Sequence, residues 1–178
     1  MAEVVVVLGS SAGGVGRHVV ELCAGLSTAG TAVHVAAPAE TLQRFQFGAA
    51  TTAVEVGASL DPPRDLRAAA RLRGLLRRSG AEVVHAHGVR AGLVAALAVR
   101  TLRSRPGLVV TLHNAVLGSG PRVRLGRAVQ DLVCRASDVV LGVSGDLVEQ
   151  ARAAGAREVD RALVPAPVRP DGDAHSSA

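Results

Sequence analysis

The chain contains no lysine, no tryptophan and no tyrosine, and its aromatic residues are Phe45 and Phe47 alone. Proteins that grip single-stranded nucleic acid stack bases on aromatic side chains, so a nucleic-acid partner is disfavoured despite a net charge of +5. The core must be built from Val, Leu and Ala. Cysteine is nearly as scarce: Cys23 and Cys134 fall inside predicted helices with no Cys-x-x-Cys spacing. That argues against a zinc site and provides no disulfide framework, so a reducing cytoplasm is the expected home. Long apolar runs are missing too. Val4–Leu8 is too short to span a bilayer, and Glu3 stands where a signal peptide would carry positive charge.

All 20 basic residues are arginine. This replacement of lysine, with the excess of Ala, Gly and Val, matches the coding bias of a GC-rich genome, so part of the basicity is compositional. The rest raises the expectation of an anionic partner. At 178 residues the chain has room for one sizeable core and not for two full α/β domains.

Short β-branched runs alternate with longer Ala/Leu/Arg segments. The pattern predicts strands near 3–8, 31–37, 53–56, 82–86, 107–112, 138–143 and 160–164, and helices near 14–28, 64–79, 90–103, 122–136 and 145–154. Alternation of this kind builds βαβ units and a mostly parallel sheet of about seven strands in a three-layer, Rossmann-like α/β domain. Val33, Val35, Val83, Val84, Val109, Val110, Val139, Val140 and Leu141 read as continuous apolar strands of a sheet covered on both faces. The domain is expected over 1–164. A linker or frayed tail is expected over 165–178, where Pro165, Pro167 and Pro170 precede Asp, Gly, Ser and Ala.

The most informative segment is the first strand running into Gly9-Ser10-Ser11-Ala12-Gly13-Gly14-Val15-Gly16-Arg17-His18. A glycine-rich turn that opens a helix presents free amides and partial positive charge to an anion. The same order also serves as a plain strand-to-helix turn with no ligand. The dinucleotide pattern Gly-x-Gly-x-x-Gly fails, because position 19 is Val. The partition-type phosphate loop needs a lysine and a Ser/Thr hydroxyl where Arg17 and His18 stand, which disfavours ATPase chemistry.

In parallel sheets, ligands bind beyond the carboxyl ends of the strands. There the chain places His85-Ala86-His87-Gly88, Thr111-Leu112-His113-Asn114 and Val143-Ser144-Gly145-Asp146 beside the glycine turn, four rims expected to converge on one crevice. Side chains two apart along a strand share a face, so at least one of His85 and His87 should look into it. Ser144 reads equally well as the N-cap of the following helix. Three histidines can make a zinc site, but no ligand carboxylate or spacing supports one, and no metal is expected.

Taken together, the glycine turn, His-x-His-Gly, Thr-x-His-Asn, Ser-Asp-Val-Val-Leu-Gly-Val-Ser and Val164-Pro165-Ala166-Pro167-Val168 resemble the N-terminal, acceptor-binding domain of family 4, group 1 retaining glycosyltransferases of the GT-B architecture. The resemblance covers nearly the whole chain. It implies that Gly13 and Gly14 lie against the transferred sugar and its diphosphate, and that His113 contacts the donor sugar near the reaction centre. It further implies that His85, His87, Asn114 and Arg17 line the acceptor side. The acceptor would be a sugar, a sugar phosphate or a lipid-linked sugar. No cofactor is implied. The nucleotide diphosphate sugar is expected mainly on a C-terminal donor-binding half or subunit, whose Glu-x7-Glu motif this sequence does not contain. On that reading the chain is inactive alone. The alternative is a non-catalytic domain of the same fold that binds a phosphorylated ligand or docks on a donor subunit.

Arg64, Arg67, Arg71 and Arg78 recur at helical spacing, with Leu66, Leu72, Leu75 and Leu76 as apolar surface. A basic amphipathic helix can rest on anionic lipid at the inner face of a membrane, although such a stripe is more commonly a solvated outer face.

Overall fold

The structure is a computed structural model in which residues 3–114 and 118–162 are described. Strands and helices alternate: β1 (Glu3–Leu8), α1 (Gly14–Thr28), β2 (Ala32–Ala37), α2 (Ala39–Arg44), β3 (Ala50–Ala53), α3 (Pro62–Ser79), β4 (Val83–His87), α4 (Val89–Val99), β5 (Gly107–Leu112), α5 (Pro121–Ala136), β6 (Val139–Gly142), α6 (Gly145–Ala153) and β7 (Val159–Arg161). One sheet holds all seven strands in the order β3-β2-β1-β4-β5-β6-β7, and every neighbouring pair is parallel. The expected three-layer α/β architecture is the observed one.

The strand order defines the functional edge. The chain winds outward from β1 to β3, returns through α3, and winds the other way from β4 to β7. Helices before and after that return cover opposite faces. On one face Val5, Val7, Val84, Ala86, Val110, Leu112 and Val140 form a core with α3, α4, α5 and α6. On the other, Val6, Leu8, Val35 and Ala37 pack with Val19 and Cys23 of α1 and with Phe47. Beyond β1, that second face is only partly covered: Val83, Val109, Val139 and Leu141 are half-buried, whereas Val84, Val110 and Val140 are buried. Both cysteines are free and buried, and burial raises each thiol pKa to about 11.

Helix starts follow local chemistry. Asp61 Oδ1 accepts from the Arg64 amide at 3.1 Å, and Pro62 and Pro63 occupy the first turn of α3, where no amide is lost. Boundaries shift by a residue or two at most elements, and three departures from expectation are larger. Helix α2 has no counterpart in the sequence reading; it begins directly after Pro38 with Glu40 in its first turn. Strand β3 pairs over Ala50–Ala53, ahead of the expected 53–56. Val54 and Val56 are fully buried, but only the Val54 amide continues toward β2, donating to the Ala37 carbonyl at 2.8 Å. Apolar pattern located the buried residues there, and pairing stops before them. Helix α4 ends at Val99 instead of 103. The expected tail over 165–178 and the Val164–Val168 segment lie outside the described residues.

Leu72, Leu75 and Leu76 are 0–4% exposed and face the core, so they cannot be the apolar surface expected of α3. Of that set only Leu66, at 61%, is at the surface. The stripe of leucines is the helix's inner face, as an amphipathic helix against a sheet requires.

Gly142 shows how tightly α6 returns on β6. A Cβ there would lie 2.8 Å from the Val148 amide nitrogen and 3.1 Å from the Leu147 carbonyl carbon, both backbone atoms. Gly142→Ala is therefore expected to destabilise the fold by about 1–3 kcal/mol in urea unfolding, the range for overpacking. Gly14→Ala, where a Cβ meets nothing within 4 Å, should change stability by no more than about 0.5 kcal/mol. Equal effects would refute so close an approach of α6 to β6.

Candidate functional site

The winding reversal leaves a crevice at the carboxyl ends of β1 and β4, and a cavity of about 300 Å³ occupies it. Leu8, Gly9, Ser10, Ser11 and Val15 form one wall, His87 to Ala91 the opposite wall, and Gly57, Ala58, His113 and Asn114 close it. Parallel register builds this juxtaposition: Leu8 lies opposite His87, and His87 opposite Thr111.

Four imidazoles gather on this edge. His87 Nδ1 and His113 Nε2 share a hydrogen bond of 3.0 Å, with their rings stacked at 5.3 Å between centroids. His18, one turn into α1, sits edge-on to both, at 5.7 Å from His87 and 5.9 Å from His113. His85 packs behind His87 at 4.3 Å and shares a 2.8 Å hydrogen bond with the Thr111 hydroxyl. Period-two alternation thus brings His85 and His87 to one face as expected, but only His87 lines the cavity.

Burial dominates the protonation of this cluster. It lowers His85 and His113 to about 4, with neighbouring imidazoles adding repulsion. Burial also holds His87 well below the ordinary value and lowers His18, where Glu21 partly opposes it. All four are neutral at pH 7, so they serve as hydrogen-bonding groups and contribute no positive charge. The His87–His113 bond requires one ring nitrogen to carry the proton and the other to accept it. His87 Nε2 is buried without a partner. Among the described residues, no group of three or more His, Cys, Asp or Glu is arranged to hold a metal ion.

The glycine turn contributes differently from expectation. Gly13 is the N-cap of α1 and Gly14 its first residue, and no atom lies within 4 Å of a Cβ built at either. Neither lines the cavity; the lining comes from Gly9 to Ser11 and Val15. The Gly16 amide donates to Ser11 Oγ at 3.1 Å and the Arg17 amide to the Gly13 carbonyl, which leaves the Gly14 and Val15 amides unpaired among the described residues. Gly16 itself answers to packing: a Cβ would fall 2.3 Å from the Phe45 ring. The unforeseen α2 steadies this loop, since Thr41 Oγ1 accepts from the Ser11 amide at 3.2 Å.

Two expected contributors stand elsewhere. Arg17 is exposed and does not reach the cavity. The rim after β6 is also absent from its lining, because β6 is two strands from β4, about 10 Å away at ordinary strand spacing. Ser144 does hold the N-cap position of α6, but its hydroxyl bonds to Asp146 Oδ1 instead of capping the helix.

Sequence reasoning missed Ser10, Ser11, His18 and, above all, Arg90. A signal for Arg90 existed. It lies in the first turn of α4, where the helix dipole disfavours a cation, so a counter-charge or ligand had to be nearby. The counter-charge is Asp65 of α3, 3% exposed, whose Oδ1 is 2.5 Å from Arg90 Nη2.

Known proteins share this architecture. The model of the family described as "Glycosyl transferase 4-like domain" matches residues 13–167. No curated protein matches the chain significantly in sequence. Among solved structures, the fold is similar to sucrose-phosphate synthase of Thermosynechococcus elongatus, with a TM-score of 0.67 and 14% identity over 93% of this chain and 48% of that one. It is similar to Anabaena HepE in complex with UDP and glucose, with a TM-score of 0.66 and 16% identity over 90% and 44%. It is also similar to MurG of Acinetobacter baumannii, with a TM-score of 0.61 and 15% identity over 82% and 42%. The chain spans less than half the length of each.

The imidazole cluster makes stability depend on pH. Unfolded histidines take up protons below about 6.5 while the folded ones resist until about 4. The stabilising contribution is therefore complete above pH 6.5 and is lost as pH falls from there toward 4. Thermal midpoints should drop across that window, and His85→Asn should flatten the drop. A midpoint constant from pH 7 to 4.5 would contradict these depressed imidazole pKa values.

Proposed function

The chain belongs to the glycosyl transferase 4-like domain family, and on that premise we propose that it is the acceptor-binding half of a retaining GT-B glycosyltransferase. It transfers a hexose or N-acetylhexosamine from a nucleotide diphosphate sugar to an acceptor hydroxyl. The observation that carries this reading is the hydrogen-bonded pair of His87 and His113 beside the unpaired amides of α1, at the one edge where the strand order reverses.

Each group has a proposed task. As the donor's sugar–phosphate bond breaks, negative charge grows on the leaving diphosphate, and the Gly14 and Val15 amides at the positive end of α1 favour it there. Gly13 and Gly14 leave that approach open because neither carries a side chain. His113, neutral and fixed by His87, orients a sugar hydroxyl by hydrogen bonding and is the proposed catalytic residue. Asn114 supports the acceptor from the rim, and His85 acts indirectly by holding His87 in place. Arg17, exposed on α1, can reach only a group that approaches from outside the cavity, as a donor half would. The nucleotide belongs to that second, donor-binding half, so this chain alone should bind nucleotide sugar poorly and should not turn over.

The outer face of α3 carries a second proposal. Arg64, Arg67, Arg71 and Arg78 are exposed there, with Leu66. With three of the four expected leucines in the core, contact with the inner membrane face would be chiefly electrostatic. No helix among the described residues is long and apolar enough to cross a membrane.

In a protein that joins this domain to its donor half, His113→Ala should lower turnover roughly tenfold or more at a temperature where the variant is still folded, and unchanged turnover would reject the role. Binding to vesicles containing anionic lipid should be measurable at low salt and lost near about 0.3 M salt, where the Debye length is short. Binding that is indifferent to salt or to lipid charge would remove the membrane proposal.

A further inference from the structure

We infer that the chain holds a second ligand site at the amino edge of the sheet, and that its occupant is a small soluble molecule carrying two or more phosphate groups, gripped by Arg73, Arg77 and Arg103. The inference is independent of the acceptor-side reading above.

A cavity of about 580 Å³ opens between the ends of α3 and α4. Ala81 and Pro106 in its wall lie just before β4 and β5, so it occupies the opposite end of those strands from the crevice. The five residues of β4 separate the two, about 16 Å at ordinary strand rise. At that distance an occupant takes no part in chemistry at His113. The volume is in the range of small-molecule sites. Leu76, Leu102 and Pro106 make part of the wall apolar, and Arg73, Arg77 and Arg103 bring the charge.

These three cations are uncompensated. Arg44, Arg90, Arg105, Arg152 and Arg157 each meet a carboxylate elsewhere in the fold. Arg73, Arg77 and Arg103 have no such partner among the described residues, and no carboxylate lines their cavity. Arg73 is half-buried, with its Nε buried and unpartnered, while its two Nη atoms are neither buried nor bonded and stay open to a ligand. The dipole of α3 favours a cation in its last turn, which accounts for Arg77. It does not account for Arg73, which precedes that turn, or for Arg103, which lies beyond the end of α4. Like charges gathered at one cavity repel, and a bound anion relieves that repulsion.

The number and placement of the guanidinium groups select the class of anion. Each is a planar fork that takes two oxygens of one acidic group. The forks come from two turns of α3 and from the chain after α4, so a monoanion meets one fully and leaves the others unmatched. Linked phosphate groups meet several at once. A phosphoryl group is tetrahedral and offers oxygens to forks arriving from different directions, whereas a carboxylate is planar. The Ser104 hydroxyl, also in the wall and unbonded among the described residues, adds a neutral donor.

The test uses the full chain with pyrophosphate, inorganic phosphate and citrate as probes at constant ionic strength. Pyrophosphate should shift the amide resonances of Arg73, Arg77 and residues 101–104 in nuclear magnetic resonance spectra. It should bind roughly tenfold more tightly than phosphate, and roughly threefold more tightly than citrate, whose charge is similar. Arg73→Gln combined with Arg103→Gln should weaken pyrophosphate roughly tenfold. The ligand-free double variant should melt no lower than the parent, because losing like charges relieves repulsion; a lower midpoint would contradict the absence of internal partners. Shifts matched by sodium chloride, citrate binding as tightly as pyrophosphate, or undiminished binding in the double variant would overturn the inference. Displacement of pyrophosphate by vesicles containing anionic lipid would overturn it as well, by making a lipid headgroup the better occupant.

Discussion

The reversal of winding between β1 and β4 is the constraint on which the site depends. Strands that step outward in both directions from a shared centre leave their two connections on opposite faces, and the gap between those connections at the carboxyl edge is a crevice lined from both halves of the sheet. Here that gap receives the start of α1 from one side and the start of α4 from the other. Two helix N-termini with unpaired amides then face one small cavity.

The histidines complement this field without adding to it. Their burial keeps them uncharged, so the positive potential comes from the helix starts while the imidazoles provide direction. Such a division suits group transfer, because hydrogen bonds with fixed orientation need no rearrangement when charge develops. The Arg90–Asp65 pair connects the site to the fold: α3, the connection that carries the chain from one winding direction to the other, supplies the carboxylate that fixes the α4 arginine.

Much of this was legible in the sequence, and the parts that were not have physical reasons. Valine-rich runs at regular spacing pointed to a parallel sheet covered on both faces, although beyond β1 the second face is only partly covered. His87, His113 and Asn114 were readable as crevice residues from their place at strand ends. Arg17 stands outside the cavity lining because adjacency to a glycine turn does not fix which face of a helix a side chain occupies. The β6 rim was misjudged because strand order, which decides distance from the switch point, is not written in any single segment. Arg90 and Asp65 lie 25 residues apart and on different helices, so their pairing emerges only from tertiary packing. Gly16 looked like part of a phosphate loop and proved to be the space that Phe45 fills.

The most direct test is the structure of this domain joined to its donor half, with acceptor and nucleotide diphosphate bound. The reacting acceptor hydroxyl should then lie in the β1–β4 crevice, within about 3.5 Å of the His113 imidazole or of the donor's reacting carbon. An acceptor seated at another edge of the sheet, with this cavity empty, would contradict the assignment of the crevice as the acceptor site.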